Sequence, residues 1–153
     1  MNMNDDFAVF ILTHGRAKNV ITHRVLRNHG YTGRIYLIID NEDNQASDYR
    51  HAYGDSVVMF DKKAIADMFD EGDNFEDRRT ITHARNASWG IARKLGITYF
   101  VHLDDDYTYF RYRYNSALEY VHGWPVKSLD RLFSIVLDYY KNAPILSLSL
   151  IHI

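Results

Sequence analysis

The 153-residue sequence contains no cysteine, which excludes disulfides, thiolate zinc sites, iron–sulfur clusters and a cysteine nucleophile. It also has no long hydrophobic run. The longest uninterrupted apolar stretch, Phe7 to Leu12, is too short to cross a bilayer. Nor does it have a large charge of one sign: 18 Lys and Arg against 20 Asp and Glu give a formal charge of -2. No global positive field therefore draws the chain to nucleic acid or anionic lipid, and any such contact must be local. The opening residues, Met1 to Asp6, lack the basic-then-apolar pattern of a secretory signal, so a cytoplasmic location is expected. No internal repeat, low-complexity tract or interdomain linker interrupts the chain. Its length and its 46% apolar content suit one soluble globular domain with its own core.

What is present is an alternation of short apolar strands with helical patterns. Phe7 to Leu12 is β-branched and aromatic and stops at Thr13-His14-Gly15-Arg16, as a buried strand running into a loop does. From Asn19, the residues Val20, Ile21, Val25 and Leu26 mark a helix that Gly30 closes in the left-handed conformation. A second strand, Arg34 to Ile39, enters the polar cluster Asp40 to Asn44. A short helix over Ala46 to Tyr53 and a third strand over Ser56 to Phe60 follow. Asp67 to Asp77 is acidic and weakly patterned, which predicts a loop or frayed helix. Ile81, Ala84, Ser88, Ile91 and Leu95 recur at helical spacing before Gly96, and Ile97 to Leu103 reads as a fourth strand. Tyr107 to Tyr114 alternates like a strand. Ser128 caps a helix striped by Leu129, Leu132, Phe133, Val136 and Tyr140 and ended near Asn142 and Pro144. The pattern predicts an α/β fold with a mostly parallel sheet flanked by helices.

In such a sheet, the loops beyond the carboxyl ends of the strands share one rim, and ligands bind where strand order reverses. Thr13 to Arg16, Asp40 to Asp43, Asp61 to Lys63 and Asp104 to Asp106 are expected there. The acidic triplet Asp104-Asp105-Asp106 is the strongest signal. Alternation at a strand end sends Asp104 and Asp106 to the same side, where both can reach one ion. Oxygen-only ligation suits Mg²⁺ or Mn²⁺, which takes one or two carboxylates and completes its shell with water and phosphate oxygens.

Phe7 to Arg16, Leu37-Ile38-Ile39-Asp40, Ala84-Arg85-Asn86-Ala87-Ser88 and His102 to Asp106 together resemble the nucleotide-binding half of a GT-A glycosyltransferase. Within that fold the sequence is most similar to the TET-associated, phage-type group, which is inferred to glycosylate hydroxymethylated pyrimidines in DNA. The resemblance spans roughly Phe7 to Tyr114. It implies a GT-A-like fold that binds a nucleotide-diphosphate sugar through Mn²⁺ or Mg²⁺ and transfers the sugar to an acceptor hydroxyl, with DNA as acceptor. It implies that Thr13, Arg16, Asp40, Arg85, Asp104 and Asp105 bind the nucleotide sugar, with Asp104 on the ribose, and that Asp106, together with Asp104, holds the metal. Catalytic base and acceptor site come from the second half of that fold, which is expected beyond Ser147, so no base is assigned. Residues 148–153 read as a sequencing-adaptor artefact, leaving 1–147 as a nucleotide-sugar-binding domain cut short. The sequence does not fix the oligomeric state.

Two rival readings remain open at the level of sequence. Asp104-Asp105-Asp106-Tyr107-Thr108 fits the aspartyl nucleophile motif of haloacid-dehalogenase phosphatases, which sits on their first strand. A non-catalytic nucleotide- or DNA-binding module is the other. Tyr107 to Tyr114 interleaves aromatics with arginine, as surfaces that stack on bases do.

Overall fold

The computed structural model describes residues 6–68 and 81–143. The predicted acidic loop falls largely on residues 69–80, and the predicted tail beyond Ala143 follows the last described residue; both lie outside the described residues. The chain packs as two compact units, one of Met1–Val25 with Gly33–Thr108, the other of Leu26–Thr32 with Tyr109–Ile153.

The first unit is built on four parallel strands: β1 (Phe7–Leu12), β2 (Arg34–Asp40), β3 (Val57–Phe60) and β4 (Tyr99–Asp104), in the order β3-β2-β1-β4. All six residues of β1 are buried, as expected of a central parallel strand covered on both faces. On one face Ala8, Phe10, Leu12, Ile38 and Phe60 form a cluster with Ala87, Ile91 and Ala92 of helix α4 (Thr82–Lys94). Phe10 is fully buried and stacks on Phe100 with ring centroids 4.9 Å apart. Burial of a side chain of this size contributes about 1.5–3 kcal/mol.

Helix α4 packs most of the face its spacing suggests: Ser88 and Ile91 are buried and Ala84 and Leu95 pack against the core, while Ile81 departs from it. The residues turned inward are His83, Ala87, Ser88, Ile91 and Ala92, whereas Ile81 precedes the first turn and is 41% exposed. Small side chains at 87, 88 and 92 let the helix lie close to the sheet, and proximity outweighs the bulk that Ile81 would have buried. The sequence gives no sign of α3 (Lys62–Ala66), because five residues do not complete a hydrophobic period; Asp61 caps it by accepting a hydrogen bond from the Ala64 N–H. Helix α2 (Ala46–Tyr53) lies where it is expected. Helix α1 (Ile21–Asn28) starts two residues later than expected and is followed by Gly30 at φ +74°.

In the second unit α5 (Leu129–Asn142) is capped by Ser128, whose Oγ accepts from the Arg131 N–H. The predicted strand over Tyr107 to Tyr114 does not form. Residues 110–115 instead make one arm of an irregular hairpin, bridged only at Arg111 to Pro125 and Tyr114 to Tyr120. Gly123 marks the irregularity: it sits at φ +74°, where an added Cβ would stand 2.0 Å from the Tyr112 carbonyl oxygen, and the arms are held there by single backbone hydrogen bonds from Tyr112 to Trp124 and from Val121 to Arg113 and not by a continuous ladder.

Candidate active site

The strand order places the reversal between β1 and β4: the chain steps outward from β1 to β2 and β3, then returns to the other side of β1. Carboxyl-end loops diverge on either side of such a point and leave a crevice. Register aligns them, since Leu12 pairs with both Ile38 and Asp104. The loops after β1, β2 and β4 therefore end at one level. There they line a cleft of about 520 Å³, a size that holds a nucleotide-scale ligand. Its floor is apolar, from Leu12, Ile38, Phe60, Ile81 and Ala84, and its polar wall carries Thr13, His14, Arg16, Asp40, Lys62, His83 and the three aspartates.

Inside the first unit, a ring of hydrogen bonds fixes the loop after β1 against the acidic triplet. The Thr13 hydroxyl donates to Asp105 Oδ2 at 2.7 Å, so its one proton is committed and it must accept from the Tyr49 hydroxyl, also at 2.7 Å. Tyr49 OH in turn accepts from the Arg16 N–H at 2.8 Å, and the Arg16 guanidinium closes the ring on Asp105 Oδ1 at 2.8 Å. Every donor and acceptor direction is thereby set. Tyr49 is fully buried, and burial pushes its phenol above its ordinary pKa, which keeps it neutral as the ring requires. Thr22, at the start of α1, pins the triplet from behind: its hydroxyl donates to the Asp104 carbonyl at 2.6 Å and accepts from the Tyr107 N–H at 2.9 Å.

A second lock ties the loops after β1 and β2. Asp43 accepts from the Gly15 N–H at 2.8 Å, and Gln45 brackets the same loop by accepting from the Ala17 N–H and donating to the Gly15 carbonyl. Asp40 Oδ2 meets His14 Nδ1 at 2.8 Å and Lys62 Nζ at 3.6 Å, while Oδ1 accepts from the Glu42 N–H.

The triplet thus stands beside Thr13, in a cleft shared with Asp40, at the strand-order reversal. A protein-family model described as TET-Associated Glycosyltransferase matches residues 7–152. The chain belongs to that family. No curated protein and no solved structure gives a match.

In this TET-associated glycosyltransferase the charges of the cleft sort into two kinds. Asp40 and Asp105 are buried and answered by protein cations, Asp40 by Lys62, with His14 Nδ1 also 2.8 Å away, and Asp105 by Arg16. Asp104 and Asp106 are not matched in this way. Asp106 is exposed and only 3.7 Å from Arg16, and the Asp104 carboxylate has no hydrogen bond or ion pair among the described residues. Asp104 without a cation of its own and an exposed Asp106 that only shares Arg16 with Asp105 fit a hard divalent cation, which needs no more than one or two protein carboxylates when phosphate oxygens complete its shell. Among the described residues no three His, Asp or Glu side chains converge to form a closed cage.

Of the residues expected to bind the nucleotide sugar, Thr13, Arg16, Asp40, Asp104 and Asp105 line the cleft, as does Asp106, expected to hold the metal. Arg85 is not among its lining; its guanidinium acts on His102 and Tyr107 instead. Asp105 has both carboxylate oxygens engaged by Thr13 and Arg16 and holds the loop in shape. Reasoning from sequence missed Tyr49, Asp43, Gln45, Thr22, Lys62 and His83. Of these, Asp43 and Lys62 are expected on the rim by their position after a strand, without an assigned role, whereas Tyr49 and Thr22 sit at helical positions that carry no motif.

Proposed function

We propose that this chain binds a nucleotide-diphosphate sugar in the cleft at the β1/β4 reversal, through Mn²⁺ or Mg²⁺, and that the protein transfers the sugar to an acceptor hydroxyl, with hydroxymethylpyrimidine in DNA as the acceptor class. The carrying observation is the charge sorting of the cleft, which leaves Asp104 without a protein cation and Asp106 exposed, sharing Arg16 with Asp105 at a looser 3.7 Å, next to the Thr13–Arg16 loop. Asp104 and Asp106 would hold the cation, which when bound would neutralise charge on the diphosphate leaving group. The chain's own residues orient the donor: Thr13 and Arg16 form the wall beside the triplet, and Asp40, with His14 and Lys62, forms the wall across from it.

In the reaction the bond from the anomeric carbon to the diphosphate oxygen breaks and a bond from that carbon to the acceptor oxygen forms. The acceptor's proton leaves to a general base. The phosphatase reading requires its aspartyl motif on the first strand, whereas here the triplet follows β4 at the edge of the sheet.

Titration calorimetry of the chain with UDP and GDP, with and without Mn²⁺, tests the proposal. Binding is expected with Mn²⁺, and Asp106→Ala is expected to abolish the metal-dependent part while leaving the circular dichroism spectrum unchanged. Equal affinity in wild type and Asp106→Ala would remove the metal role, and no heat with any nucleotide would remove donor binding.

A further inference from the structure

The second unit carries a surface that the donor site does not use. Its hairpin is held at the base: the Val126 N–H donates to the Phe110 carbonyl at 3.0 Å, His29 Nδ1 meets the Val126 carbonyl at 2.6 Å, and the Phe110 ring packs edge-on to His29 at 5.8 Å. The arms are tied by the Tyr112 N–H to the Trp124 carbonyl at 2.9 Å and the Val121 N–H to the Arg113 carbonyl at 2.8 Å. An anchored backbone of this kind normally buries its large side chains. Here Tyr109, Tyr112, Tyr114, Tyr120 and Trp124 are between 47% and 78% exposed. Exposed apolar residues scattered singly need no explanation, but five exposed aromatic rings on one short hairpin do, and two of them, Tyr114 and Tyr120, meet edge-on at 5.8 Å.

Charge selects the occupant. From Tyr109 to Lys127 the cations are Arg111, Arg113 and Lys127, against one carboxylate, Glu119, which accepts from Asn115. In a chain of net charge -2 this is a local positive stretch. The Arg111 guanidinium lies 4.6 Å from the Tyr109 ring centroid, so one cation is already laid over an aromatic face. Aromatic faces interleaved with cations match a polyanion whose repeating units expose flat rings, and only an unpaired strand exposes them.

We propose that the Tyr109–Trp124 hairpin binds single-stranded DNA by stacking unpaired bases on Tyr120 and Trp124 while Arg111 and Arg113 meet the phosphates. This deepens the acceptor half of the reading above and rests on that reading only for the role of the DNA, not for its binding.

The experiment measures fluorescence anisotropy of a labelled 12-nucleotide oligothymidylate, and of its duplex with oligoadenylate, against the full 153-residue chain without sugar donor. The single strand is expected to bind more tightly than the duplex. Trp124→Ala and Tyr120→Ala, both at exposed positions, are each expected to weaken it about tenfold, within the range typical of one lost base stack. Arg113→Ala should lower the slope of log affinity against log salt by about 0.7. Tyr139→Ala, at a 62% exposed aromatic on α5 outside the hairpin, should change nothing. Absence of oligothymidylate binding, equal losses in Tyr139→Ala, or an unaffected Trp124→Ala would overturn the proposal. So would self-association in sedimentation that Trp124→Ala abolishes, or preferential binding to phosphatidylserine vesicles over oligothymidylate. Nucleotide calorimetry on the same Trp124→Ala protein separates the two proposals: retained Mn²⁺-dependent UDP binding with lost DNA binding confines the effect to the hairpin. Retained DNA binding in a chain that binds no nucleotide would sink the donor reading alone.

Discussion

Tyr49 is the residue on which the candidate site's rigidity turns. Its hydroxyl both donates to Thr13 and accepts from the Arg16 N–H, and no water-exposed substitute exists for either partner at a fully buried position. Tyr49→Phe is expected to destabilise the fold by about 1–3 kcal/mol, the cost of leaving buried groups unpaired. It should also weaken nucleotide binding, because the Arg16 loop loses its tether. Urea denaturation and nucleotide calorimetry on one preparation check both effects; unchanged stability would mean the ring is ornamental. His102 sets a pH dependence. Burial, reinforced by the Arg85 guanidinium, pushes its imidazole down from 6.5 to about 4. Between those values the unfolded chain takes up a proton that the folded chain refuses, so stability is full above pH 6.5 and is lost as pH falls toward 4. Melting curves across this window should show the midpoint dropping with pH, and His102→Phe, which keeps the packing against Phe100, should flatten that part of the profile.

At the scale of elements, the hairpin depends on a backbone conformation that only glycine supplies easily. A Cβ at Gly123 would stand 2.0 Å from the Tyr112 carbonyl oxygen, and the residue already sits at φ +74°. Backbone, unlike a side-chain tip, cannot swing aside. Gly123→Ala is therefore expected to open the hairpin at a cost of several kcal/mol or to melt it, since each strained residue alone costs about 1–3 kcal/mol. Near-ultraviolet circular dichroism reports it, because Trp124 and the tyrosines would lose their fixed environment; an unchanged aromatic spectrum would contradict the geometry. The same glycine explains why Tyr107 to Tyr114 reads as a strand and is not one. The alternation is real, but pairing is decided by the partner segment, where Gly123 and Pro125 cannot continue a ladder.

At the scale of the whole molecule, ligand and fold are coupled by mass action. A ligand at a concentration 100 times its dissociation constant stabilises by about 2.7 kcal/mol. For a chain of this size that corresponds to a rise in melting temperature of roughly 5–10 °C. UDP or GDP with Mn²⁺ should produce such a shift where either component alone does not, as measured by differential scanning fluorimetry. A rise with nucleotide alone would argue that Asp104 and Asp106 serve no cation. Among the described residues no helix is long and apolar enough to cross a membrane, in keeping with the absence of long hydrophobic runs.

Several features were legible before any coordinates. The spans of β1 and α2, the cap at Ser128, the left-handed Gly30 and the convergence of Thr13, Arg16, Asp40 and the triplet on one rim all follow from local signals: apolar runs, turn residues and the rule that parallel strands end together. These are properties of sequence because each is set by neighbours within a few positions. The tertiary structure alone decided which carboxylates are buried and which face solvent. Asp105 and Asp106 are adjacent and chemically identical, yet one is buried and the other faces solvent, a distinction that arises from a threonine and an arginine brought against Asp105 across 92 and 89 positions of chain. It also decided that the aromatics of the hairpin face outward, because burial depends on what packs above a side chain, and no local pattern encodes that.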